Sequence, residues 1–161
     1  MDNNILYKES VFSKGITIIL GIFSVLISVL FIVQLSSGPV GSKPAPNLIL
    51  GIMTGFFILT TINFSFLRIT MTDKYIRIAY GIIGSKRLWE NLQVCELDSE
   101  NKFFGGWGIR FGRYKNDWIW VYNIIGGSRV AFLRKPGKSK SLMVSTKNPE
   151  EMVRIANEQI S

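Results

Sequence analysis

Two apolar runs stand out along the chain, and the hydrophobic period changes after the second. Residues 15–35 (GITIILGIFSVLISVLFIVQL) and 48–67 (LILGIMTGFFILTTINFSFL) carry no charged side chain over 21 and 20 residues. At about 1.5 Å of rise per residue, a helix over either run covers roughly 30 Å, the thickness of a bilayer's hydrocarbon core. Each predicts a transmembrane helix. The connector 36–47 (SSGPVGSKPAPN) is rich in Gly, Pro and Ser and cannot continue a helix, which suits the link of an antiparallel hairpin. The first run is too long for the apolar core of a signal peptide, and no small-x-small cleavage site follows it. It reads as a retained span.

From Phe66 the period becomes two. Leu67, Ile69 and Met71 alternate with Arg68, Thr70 and Thr72, and Ile76, Ile78 and Tyr80 with Tyr75, Arg77 and Ala79. These are the marks of half-buried strands joined by a turn at Thr72-Asp73-Lys74. Gly81 and Gly84 bracket another turn around Ile82-Ile83. Further strands are predicted over 88–98, around Trp118, Trp120 and Tyr122, and over 129–133 and 141–145, with turn signals at Gly126-Gly127 and Pro136-Gly137. The chain then turns helical: Asn148 as N-cap, Pro149 at the first position, Glu150 and Glu151 in the first turn, and Met152, Ile155, Ala156 and Ile160 on one side. The expected architecture is a two-helix membrane hairpin (15–67) after an N-terminal segment (1–14). A β-rich domain (68–161) follows, an antiparallel barrel or sandwich of about seven strands capped by one C-terminal helix.

Charge sharpens this picture. From Arg68 onward there are 16 Lys and Arg against 9 Asp and Glu, a net of +7 out of the chain's +8. Next to two spans, the anionic membrane surface is the nearest polyanion, so a nucleic-acid partner is not expected. Lys8 and Lys14 precede the first span, Arg68, Lys74 and Arg77 follow the second, and the connector holds only Lys43. The excess of cations on the flanks predicts a multi-pass protein of the cell membrane with both termini cytoplasmic. With no His and only Cys95, neither a common zinc set nor an internal disulfide can be assembled.

The order of strands and one capping helix, together with GGWGIR (105–110), WIWVYN (118–123), the Gly-Gly turn before RVAFL and STKNPEEMVRIA (145–156), resembles the membrane-anchored prokaryotic pleckstrin-homology-like proteins over about residues 68–160. The resemblance implies a PH-like fold on a helical anchor and a binding role, not an enzymatic one. Phosphoinositide-binding PH domains carry a K-x(n)-[KR]-x-R pattern. Here Lys74 and Arg77 are followed by Ala79, which breaks it.

Several constellations are candidates for function. Arg134, Lys135, Lys138 and Lys140 surround one hairpin, and Lys86 and Arg87 form a second cationic pair. With the apolar tip Ile82-Ile83, these are the expected contacts to lipid head groups or a protein partner. Alternatively, Phe103-Phe104 would cover that tip. Gly21, Ser24 and Ser28 in the first span, and Gly51 and Gly55 in the second, are the expected helix-packing positions. Asn63 is expected to bond to the first helix or to sit at the cytoplasmic interface. Glu96, Asp98 and Glu100 share a strand face and read as a solvated edge rather than a metal site. Gly105-Gly106-Trp107-Gly108 lacks the spacing of a phosphate loop and reads as a turn, with Trp107 packing over the barrel. Alternating Trp118, Trp120 and Tyr122 read as core. No cofactor or catalytic residue is expected. The first functional expectation is a membrane-displayed module for anionic head groups or a protein; the alternative is a scaffold whose domains self-associate into a homo-oligomer.

Overall fold

A computed structural model describes residues 4–98, 106–115, 117–138 and 140–161. The two apolar runs form α1 (Lys14–Ser37) and α2 (Asn47–Phe64), 24 and 18 residues long. Both are long and apolar enough to cross a membrane, and few of their residues are buried. A soluble core helix would be covered, whereas these leave contiguous apolar surface bare. They pack on each other: Ser24 Oγ lies 3.0 Å from Thr61 Oγ1, and the Phe23 and Phe57 rings stack at 6.1 Å. Gln34 closes the connector end, donating to Ala45 O and Asn47 Oδ1 at 2.7 Å each.

The segment before α1 is itself a strand, β1 (Ile5–Phe12), which pairs antiparallel with β2 (Phe66–Thr72), the strand that leaves α2. Residues 5–12 of the expected N-terminal segment (1–14) are thus part of the β domain. β3 (Tyr75–Tyr80) and β4 (Ile83–Leu88) complete a first sheet in the order β1-β2-β3-β4. A single 3-10 turn, Trp89–Asn91, leads to β5 (Leu92–Leu97), so the expected continuous strand over 88–98 is broken there. β6 (Gly108–Tyr114), β7 (Asp117–Asn123), β8 (Ser128–Arg134) and β9 (Ser141–Thr146) join β5 in a second sheet of order β5-β8-β9-β7-β6. α3 (Pro149–Ile160) follows.

Three expectations are corrected. Among the described residues there are nine strands, eight of them from Phe66 onward where about seven are expected and one before α1 where none is. The sheets are open, of four and five strands, and do not close into a barrel. The second sheet is mixed, because β9 inserts between β8 and β7 and runs parallel to β7. The sheets and α3 share one core: Leu67, Ile69, Met71, Ile76, Ile78 and Tyr80 from the first sheet meet Tyr122, Val130, Phe132, Leu142 and Val144 from the second, with Met152, Ile155 and Ala156 of α3. Period-two alternation supplies these faces, and burying each large aliphatic contributes about 1.5–3 kcal/mol.

Candidate functional site

Strand direction divides the β domain into two ends. β1 runs into α1 and β2 leaves α2, so Phe12 and Phe66 mark the helix end; their rings lie 5.1 Å apart and both are exposed. The β3–β4 turn lies at this end too. Ile82 N donates to Asn63 Oδ1 of α2 at 2.9 Å. Asn63 therefore serves the turn rather than α1. Gly81 sits at φ +51°, and a side chain there would collide with Asn63 Oδ1, so glycine is required. Ile82 is left 91% exposed beside the end of α2. The β7–β8 turn is at the same end, with Ile125 Cδ1 3.5 Å from where a Cβ on Gly15 would lie.

The cationic candidates lie at the opposite end. Arg87 Nε donates to Lys140 O at 3.3 Å, which brings Arg87 to the 134–140 hairpin, whereas Lys86 faces the other side of β4, its Nζ 3.8 Å from the centre of the Tyr75 ring. Arg87 is four positions along β4 from Ile83, about 13 Å. Ile82 and Ile83 are thus not gathered with the cations. Arg134 is largely engaged: its guanidinium grips Asp117 through Nε at 2.8 Å and Nη2 at 2.9 Å, and Nη1 donates to Lys138 O. That grip, with Ser141 Oγ donating at 2.7 Å, holds the Asp117 carboxyl at about 2, below the usual carboxylate value.

Next to this cluster is a surface that the sequence reading assigned to the core. Register pairs Ile109 with Tyr122, Phe111 with Trp120 and Arg113 with Trp118, so the six share one face of the β6–β7 hairpin. Tyr122 is in the core, its OH 2.8 Å from Ser85 Oγ of β4. Trp120 is half-buried, and Trp118 is 50% exposed. The first sheet ends at β4, and the inner face of the second runs out from under it. Phe111 and Trp118 stack there at 4.9 Å with an interplanar angle of 2°. Lys140 Nζ lies 4.2 Å from the centre of the Phe111 ring, and the Arg113 guanidinium 5.9 Å from that of Trp118. Alternation could identify this face, but not where its cover stops.

The remaining candidates are placed as follows. A Cβ on Gly51 would lie 3.2 Å from the Phe31 ring of α1, and Ser24 meets α2, whereas Ser28 bonds to its own helix and a Cβ on Gly21 or Gly55 would meet nothing within 4 Å. Glu96 pairs with Lys115 at 2.6 Å and Asp98 with Arg129 at 2.8 Å. Glu100, Phe103, Phe104 and Gly105 lie outside the described residues. Trp107 is 40% exposed at the helix end instead of packing over a barrel. Cys95 is buried, which pushes its thiol pKa well up. No group of metal-ligating side chains is found among the described residues. Compared with known proteins, the chain matches no family model, no curated sequence and no solved structure.

Proposed function

We propose that this chain is a non-enzymatic membrane protein whose two-helix hairpin seats a PH-like docking module on the cytoplasmic face of the cell membrane. The module receives an acidic segment of a partner protein on its Phe111–Trp118 face. One observation carries the reading: a core-type aromatic face left open, edged by Arg113, Lys140 and Arg87, at the end of the strands remote from the helices. Exposed apolar surface of this kind is costly unless it is covered in use, and aromatics with arginine are the residues that anchor interfaces. Its charge selects an acidic partner, and the position of β6 at a sheet edge leaves a strand free to pair. The β1–β2 pairing supports a same-side location for both ends of the hairpin, and the cations flanking the spans support the cytoplasmic side.

The test is a photoreactive residue at position 113 of the full-length chain in its native membrane, with the cross-linked species identified by mass spectrometry. The expected product is a heterologous protein with an acidic stretch at the cross-link, lost on Phe111→Ser with Trp118→Ser. Cross-links only between copies of this chain would replace the reading with self-association through β6. Cross-links only to lipid would overturn it.

A further inference from the structure

A second site lies at the helix end of the module, and we propose that it holds the head group of an anionic phospholipid from the leaflet that α1 enters. The inference rests on the membrane reading above. The site is a groove of about 350 Å³ between the first turn of α1 and the β7–β8 turn, lined among others by Phe12, Lys14, Trp107, Ile125 and Lys147. No Asp or Glu lines it. Neither lysine forms an ion pair among the described residues. The Glu9 carboxylate lies behind the lining, where it accepts from Lys147 N at 2.8 Å, from Tyr7 OH at 2.7 Å and from Thr146 Oγ1. Two lysines without a side-chain ion pair among the described residues therefore share a hollow that no acid lines.

The walls distinguish a lipid from a soluble anion. Phe12, Ile125 and Trp107 are all exposed, and Ile125 rests on Gly15 in the first turn of the span. A free phosphate would satisfy the lysines and leave these side chains wet. A phospholipid places its phosphate between the lysines and its glycerol and upper acyl chain against the apolar wall, the depth at which tryptophan partitions. The groove is also pre-formed. Buried Ser145 Oγ donates to Asn123 Oδ1 at 2.6 Å, and Ile124 N donates to Ser145 Oγ at 3.0 Å. Asn123 Nδ2 donates to Gly106 O at 2.6 Å, and Tyr80 OH to Asn123 O at 2.8 Å. This network holds the β7–β8 turn and the strand entry carrying Trp107 against each other. Little ordering is left to offset binding.

The experiment uses the full-length chain reconstituted in bilayers of equal phosphatidylglycerol and phosphatidylcholine, released from them, and analysed by native mass spectrometry for retained lipid. Phosphatidylglycerol is expected to be retained several-fold over phosphatidylcholine. Lys14→Ala with Lys147→Ala is expected to bring that ratio down to about one, as loss of the two interfacial cations requires. Lys135→Ala with Lys138→Ala, at the far end, leaves it unchanged. Equal retention of both lipids by the parent chain, or an equal fall in both variants, overturns the site. Recovery of the parent chain in the bilayer fraction together with either result fails the groove alone; recovery in the aqueous fraction fails the membrane reading with it.

Discussion

Replacing Asn157 with alanine is expected to destabilise the β domain by about 2 kcal/mol through two backbone groups on a different element. β5 has a strand on one side only, and at its open side Asn157 of α3 takes the place of the missing strand. Its Oδ1 accepts from Cys95 N, and its Nδ2 donates to Cys95 O, both at 2.9 Å. Alanine leaves both groups without a partner, at about 1–3 kcal/mol each when buried. Asn157 is itself only half-buried, so water relieves part of the loss and the lower bound applies to each group. For a domain of roughly 100 residues, that corresponds to a fall of about 10 °C in Tm. The assay is tryptophan-fluorescence melting of the full-length chain in detergent, paired with maleimide labelling of the buried Cys95 thiol, which reports each opening of this edge. Asn157→Asp keeps the acceptor and loses the donor, so it should fall between parent and alanine. An alanine variant within about 0.5 kcal/mol of the parent, with unchanged labelling, would show that the edge is held by packing of α3 alone.

Three further outcomes follow from the same geometry. Glu9→Ala removes the acceptor of Tyr7 OH, Thr146 Oγ1 and Lys147 N, and is expected to cost about 2 kcal/mol in detergent melting, with Glu9→Gln recovering part of it. Gly81→Ala forces a side chain into a left-handed backbone against Asn63 Oδ1; it is expected to cost at least about 1 kcal/mol, and less in an Asn63→Ala background, which a double-mutant cycle measures. Asp117 is depressed to about 2 by Arg134, so its contribution is present above the usual carboxylate pKa and lost as pH falls through about 2. The stability gap between parent and Asp117→Asn should therefore be constant from about pH 7 to 5 and close between about pH 4 and 2.

The two apolar helices, the Thr72-Asp73-Lys74 turn and α3 were legible because each is written in adjacent residues: an unbroken apolar run, a turn whose Thr72 Oγ1 accepts from Lys74 N and Tyr75 N, and a one-sided helix on Met152, Ile155 and Ala156. The features that escaped depend on residues far apart. β1 reads Tyr7, Glu9, Val11 along its inner face, with a charge where an apolar residue would announce a strand, and its partner lies beyond the whole helical hairpin. Glu9 makes sense only beside Thr146 and Lys147, which the sequence puts 137 and 138 residues away. β4 (IGSKRL) is nearly without apolar alternation, because it is an edge strand whose side chains mostly face out. The insertion of β9 between β8 and β7 leaves no local mark at all. Alternation puts Trp118, Trp120 and Tyr122 on one strand face, but not Phe111 beside them and not their burial, because exposure of Trp118 is decided by the width of the other sheet.

The pairing of β1 with β2 governs how the candidate surfaces can work. Its rungs run to Phe12 and Phe66, and Ser13 N then donates to Ser65 O at 2.8 Å, one residue from the start of α1. No slack is left at either junction, so the module cannot swing on a tether as domains on flexible linkers do. Two strands from opposite sides of the hairpin, clamped by ladder bonds, set the Ile82 and Ile125 turns beside the helices. The same clamp directs the Phe111–Trp118 face away from them. An isolated β domain starting after α2 would lack β1 and with it Glu9, leaving Lys147 N and Thr146 Oγ1 without their acceptor and the β2 edge bare. Binding measured on such a fragment would report a damaged edge and not the module, so the lipid and partner experiments both require the full chain.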